Sequence, residues 1–162
     1  MIRKLPAHEC RVHCFRAARE LNASDKYFLD TNIFVYSLDP VEPHKARISE
    51  ALITRGVDSR LGVISYQVVQ EFINVSLRQF KATMSVTELE LFFFKVLLPM
   101  MTIPSSSGLF LEALRLHKAN QLAWYDSLIV AAAIQGNCEI LYSEGLQHGH
   151  RFGDLLVQNP FL

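Results

Sequence analysis

Short apolar runs alternate with longer stretches of helical periodicity along this chain. Tyr27-Phe28-Leu29 reads as a buried strand that ends on Asp30 and opens onto Thr31-Asn32-Ile33-Phe34-Val35-Tyr36, a helix-like segment. Pro43 to Arg55 predicts a helix closed by Gly56, and Arg60 to Ile64 a short strand with Leu61, Val63 and Ile64 apolar. Ser65 is a candidate N-cap for a helix through Gln79, and Ser85-Val86-Thr87-Glu88 offers a capping box for a helix running to about Leu98, where Pro99 stops it. Met101 to Ile103 predicts a short strand. Pro104 and Ser105-Ser106-Ser107-Gly108 then make a loop feeding a helix over Leu109 to Lys118. Trp124 to Gln135 is a strongly apolar helix terminated by Gly136-Asn137, followed by strands at Glu139 to Tyr142 and Leu155 to Val157. Strands alternating with helices or helix pairs predict a three-layer α/β/α sandwich with a mainly parallel central sheet.

Composition sets the scale of that picture. With 162 residues, half of them hydrophobic and a fifth charged, the chain is long enough for one globular domain with a sizeable core. Formal net charge is zero, which removes any bulk electrostatic argument for nucleic-acid binding. The charge is uneven, however. Residues 1–26 carry Arg3, Lys4, Arg11, Arg16, Arg19 and Lys26 against Glu9, Glu20 and Asp25, net +3, which leaves −3 for the remainder. Residues 1–24 read as an N-terminal extension, poorly ordered or a short helix, ahead of a domain over 25–162. A solvated tail is the simplest reading of the basic segment.

Three cysteines, Cys10, Cys14 and Cys138, give no disulfide framework and fit a reducing compartment. His8, Cys10, His13 and Cys14 crowd together, but at no standard zinc spacing and with no second ligand pair. The start lacks the apolar core of a signal peptide, and no run is long enough to span a membrane, so the expectation is a soluble, cytoplasmic protein.

Three acids stand in unusual places. Asp30, at a strand's carboxyl end, lies where open α/β sheets put their ligand sites, although it reads equally well as the N-cap of the next helix. Glu71 borders the apolar stripe of Val68 and Val75, with a surface pair to Arg78 as the alternative use for its charge. Asp126 enters the first turn of a helix apolar almost all round. The helix dipole helps it there, but a buried carboxylate also needs a cation or good donors. Glu144 follows the strand ending Leu141-Tyr142-Ser143; a solvated loop acid is its bland reading, as surface histidines are for His148 and His150. Carboxylates converging on one sheet edge suit a hard divalent cation, and through it phosphate chemistry.

At these residues the chain resembles the PIN domain family, metal-dependent ribonucleases, and most of all the VapC-like toxins of toxin–antitoxin pairs. The matching pieces occur in family order: Phe28-Leu29-Asp30-Thr31-Asn32 with Val35-Tyr36; Ile64 to Phe72; Tyr125-Asp126-Ser127 through Ala133; and Ile140 to Glu144. The resemblance covers the chain from Tyr27 onward and implies a metal-dependent endoribonuclease. Asp30, Glu71 and Asp126 would be its acids and the ligands of Mg2+ or Mn2+. It implies an RNA substrate and an antitoxin partner, with a homodimer as the family's common assembly; the lack of any membrane-length apolar run implies no membrane partner. The position of the family's fourth acid is Gly145, preceded by Glu144. Either Glu144 reaches in as a catalytic acid, or the site has one acid fewer and the domain is a catalytically weak module that binds RNA or protein. A phosphatase with an aspartyl nucleophile at Asp30 ranks below both, since Asp30-Thr31-Asn32 lacks the second aspartate. The apolar run Leu91 to Leu98 reads mainly as core, with part of it available to a partner.

Overall fold

The structure is a computed structural model that describes residues 25–79 and 84–162. The expectation of an N-terminal extension and the His8, Cys10, His13, Cys14 group lie outside those residues. The order of elements is β1 (Tyr27–Leu29), α1 (Thr31–Ser37), α2 (Pro43–Ser59), β2 (Gly62–Ser65), α3 (Tyr66–Gln79), α4 (Val86–Phe92), a π-helical turn (Phe93–Leu97), α5 (Leu98–Met100), β3 (Met101–Ile103), α6 (Ser107–Asn120), α7 (Trp124–Gln135), β4 (Ile140–Tyr142), β5 (Arg151–Phe152) and β6 (Leu155–Gln158).

The sheet order is β3-β2-β1-β4-β6-β5, parallel throughout except for β5 against β6, with helices on both faces. This is the three-layer α/β/α sandwich that the alternation of strands and helices predicts. From β1 the chain builds outward through β2 and β3, then returns to place β4 on the other side of β1. The carboxyl ends of β1 and β4 therefore flank a switch point, where an open sheet leaves a crevice.

Burial follows from this position. Tyr27, Phe28 and Leu29 are wholly enclosed because β1 has a strand on each side and helices above and below. Tyr27 satisfies its hydroxyl by donating to the Leu52 carbonyl of α2 at 2.9 Å. On α3, Val68, Val69, Phe72 and Ser76 form the buried stripe. In α7 the run Ser127 to Ala133 is buried throughout, as its unbroken apolarity predicts.

Two helix ends and one strand depart from expectation for physical reasons. Gly56 does not close α2, which continues to Ser59 and ends at Arg60 in the left-handed conformation. Gly56 instead lets α2 approach β2. A Cβ on it would meet Met100 Sδ at 3.0 Å and Gly62 Cα at 3.2 Å. Pro99 does not stop the helix before it either. A π-helical turn over Phe93–Leu97 precedes it, and Pro99 then stands in the opening turn of α5, where its missing N–H matters least. The short antiparallel β5 has no counterpart in the sequence reading; it is two residues long and lacks a period of its own. The Ser85 capping box is present, with Ser85 Oγ accepting from the Glu88 N–H and Glu88 reaching back to the Ser85 N–H.

Candidate active site

Asp30 stands at the switch point. It leaves β1 in extended geometry (φ −72°, ψ 159°) and caps α1, its Oδ1 accepting the Thr31 N–H at 2.6 Å. Its other oxygen, Oδ2, accepts from Ser143 Oγ at 2.7 Å and from Asn32 Nδ2 at 3.0 Å. Capping and participation in a site are therefore both open to Asp30, through different oxygens. Burial pushes its pKa up to about 6; the hydrogen bonds from Ser143 and Thr31 offset part of that rise, while the charges of Glu71 and Asp126 add to it.

Glu71 reaches the same place from the middle of α3. Thr31 Oγ1 donates to its Oε2 at 2.6 Å, and Gln67, one turn earlier, donates through Nε2 to Oε1 at 2.9 Å. Thr31 thus ties the two acids together, its N–H on Asp30 and its hydroxyl on Glu71. The polar partners of Glu71 are thus Thr31 and Gln67, rather than the Arg78 considered from sequence. Asp126 lies in the first turn of α7, where Ala123 holds the cap position and makes no side-chain cap. Desolvation raises the Asp126 pKa and the charge of Glu71 raises it further. Three acids from β1, α3 and α7 thus lie within electrostatic reach of one another.

Glu144 is placed differently. Its Oε1 accepts Lys45 Nζ at 2.7 Å, and its Oε2 accepts the Tyr36 hydroxyl. Burial works against its charge, but the hydrogen bonds from Lys45 and Tyr36 outweigh it and hold Glu144 below the usual carboxylate range. Gly145 is exposed, and a Cβ there would meet only Ser143 Oγ at 3.9 Å. His148 Nδ1 accepts the Asn159 N–H, and His150 packs on Phe152 with ring centroids 4.5 Å apart.

Ser143, Thr31 and Gln67 are the residues whose parts in this network sequence reasoning did not resolve. Their signals were present: a serine directly after a buried strand, a threonine after the strand-end acid, and an amide four residues before a helical acid.

Whether these residues suit a divalent cation depends on donor chemistry. The charge of Glu71 raises the proton affinity of both Asp30 and Asp126, and Asn32 Oδ1 beside Asp30 is buried with no hydrogen-bond partner. Hard oxygen donors of this kind suit Mg2+ or Mn2+. Among the described residues, no three His, Cys, Asp or Glu side chains stand close enough to hold an ion by direct contact alone. Mg2+ keeps several of its waters, so carboxylates that do not all touch the ion can still hold it through water. A cleft of about 720 Å³, lined by Leu116, Asn120, Cys138, Glu139, Arg151 and Asp154 among others, lies at the amino ends of β4 and β6, away from the acids. Carboxylate chemistry, rather than cavity size, marks the candidate site.

Comparison with known families matches residues 27–148 to the PIN domain. The match covers well over half of the chain, which therefore belongs to the PIN domain family, a nuclease-type fold that is generally metal-dependent. None of the curated proteins matches the chain. Among the described residues no helix is long and apolar enough to cross a membrane.

Proposed function

We propose that this protein is a metal-dependent endoribonuclease acting in the cytoplasm, the toxin of a toxin–antitoxin pair of the VapC-like kind. One observation carries the reading. Asp30, Glu71 and Asp126 come from three separate elements to the carboxyl end of β1, where burial pushes Asp30 up to about 6 and the charge of Glu71 weighs on both Asp30 and Asp126. Such a cluster is costly in a free protein and is relieved by a cation.

Asp30, Glu71 and Asp126 would hold Mg2+ or Mn2+, directly or through water. When bound, a divalent cation supplies an activated water and polarises a phosphate. The chain's own residues orient the acids. Ser143 and Asn32 fix one oxygen of Asp30, Thr31 locks Asp30 to Glu71, and Gln67 steers the second oxygen of Glu71. A labelled single-stranded RNA incubated with Mg2+ or Mn2+ tests the assignment. Asp30→Asn and Asp126→Asn are each expected to slow cutting at least about tenfold. Full-rate cutting by both variants would remove the assignment.

A second reading, a weakly catalytic module that binds RNA or protein, is favoured by one feature: Glu144 is engaged by Lys45 and Tyr36, and Gly145 offers no carboxylate. Partner surfaces are proposed on the same footing. Leu91, Phe94 and Leu98 are exposed along one side of the helical run that contains the π turn, whereas Leu97 is buried. They form an apolar strip for an antitoxin or a second copy of the chain.

A further inference from the structure

We propose that Lys45 is the residue that takes a phosphate of single-stranded RNA beside the acids, and that Glu144 occupies it in the free protein. The inference rests on the ribonuclease reading and deepens it. Lys45, on α2, places Nζ 2.7 Å from Glu144 Oε1 and 3.3 Å from the Tyr36 hydroxyl oxygen. It also lies 4.3 Å from the Tyr36 ring centroid and 5.5 Å from that of Phe161, and these two rings meet edge to face at 5.2 Å. The cluster joins the acids through the chain itself. Tyr36 shares α1 with Thr31 and Asn32, and Glu144 follows Ser143, whose hydroxyl holds Asp30.

Three acids repel a polyanion, so RNA requires a cation of the protein near them as well as any metal. Lys45 is suited to that need by its partners, Tyr36 on the helix that Asp30 caps and Glu144 next to Ser143. Its side chain remains 23 % exposed and that of Glu144 30 %, so an incoming anion can reach the ammonium. A phosphodiester carries one negative charge, as does the carboxylate it would displace. Lys45 would therefore exchange one anion for another, and a part-exposed ion pair resists such an exchange only weakly. Glu144 would keep its bond from Tyr36 throughout. A purely structural clamp between α1, α2 and the loop after β4 is the rival, and it makes the opposite forecast for one substitution.

The test uses the full-length chain, a fluorescent single-stranded RNA in EDTA across a salt series, and cutting with Mn2+ measured separately. Glu144→Gln keeps an acceptor oxygen for Lys45, turns an NH2 toward the Tyr36 hydroxyl oxygen, which can accept it, and removes the competing charge; it is expected to bind RNA about threefold more tightly. Lys45→Met is expected to bind about threefold more weakly and to flatten the salt dependence by about 0.7 in log–log slope, the loss of one phosphate contact. Opposite signs for two partners of one ion pair support the proposal. Weaker binding by both, or no change in either, would leave the clamp and overturn it. So would a Glu144→Gln variant with unaltered affinity but abolished Mn2+-dependent cutting, which would make Glu144 a ligand. If the wild type cuts RNA and these signs fail, only the role of Lys45 falls. If it neither binds nor cuts, the ribonuclease reading falls with it.

Discussion

Asp30 serves α1 through Oδ1 and the acid cluster through Oδ2, and its titration should report on both. In the unfolded chain its carboxyl has the ordinary value of about 4; in the fold it stands at about 6. Between those pH values the folded state holds the proton more tightly, so stability falls as pH rises through the window, and the full cost is present above it. Two pH units correspond to about 2–3 kcal/mol as an upper figure. Metal-free protein is thus expected to lose thermal stability between about pH 4 and pH 7, and Asp30→Asn to lose less over that range. Melting curves in EDTA from pH 4 to 8 measure this; an equal slope in both proteins would contradict it. Gly145 gives a second residue-scale expectation. An added Cβ has open space with Ser143 Oγ 3.9 Å away, and the backbone there does not take the left-handed conformation. Gly145→Asp should fold normally and speed Mn2+-dependent cutting severalfold, and an unchanged rate would show that a fourth acid adds nothing here.

At the scale of elements, α2 and β2 approach closely where Gly56 faces Gly62. A Cβ on Gly62 would lie 2.7 Å from Gly56 Cα and 2.8 Å from Met100 Sδ, and the first of these is backbone that cannot swing aside. Gly62→Ala is expected to destabilise the fold by about 1–3 kcal/mol, through separation of α2 from the sheet. Gly56→Ala should cost less, because its nearest neighbour is the flexible Met100 side chain at 3.0 Å. Urea denaturation of both variants checks the order, and a neutral Gly62→Ala would contradict the contact. The same pair shows what was legible in the sequence. Strand and helix alternation, the β1 run and the α7 run could be read because each is a periodic or continuous apolar signal within one segment. Gly56 was misread as a stop because its reason lies in Gly62 and Met100, distant in sequence. Pro99 was misread likewise, since local rules do not reveal a π turn ahead of it. At the site, Asp30, Glu71 and Asp126 stood out as acids on apolar elements. The engagement of Glu144 by Lys45 could not be read, because it joins residues 99 apart along the chain.

At the scale of the whole molecule, the acids join parts of the chain that are far apart in sequence. Asp30 ends β1, Glu71 rides on α3, and Asp126 opens α7, which packs extensively on α6. In the free protein their mutual repulsion works against closing these elements around the switch point, and Thr31 and Ser143 offset only part of it. A cation held among them would bind the folded chain and not the unfolded one, so its binding energy would add to global stability. At a Mn2+ concentration a hundredfold above its dissociation constant the gain is about 2.7 kcal/mol, or roughly 5–10 °C in Tm for a protein of this size. Wild-type Tm is expected to climb with Mn2+ along that logarithmic course at pH 7.5. Asp126→Asn should shift the rise to higher concentrations, and Gly145→Asp should shift it to lower ones. Thermal melts across a Mn2+ series, with Ca2+ as a non-catalytic control, provide the measurement. A Tm indifferent to either ion in the wild type would mean that these carboxylates meet at the switch point for some reason other than holding a metal.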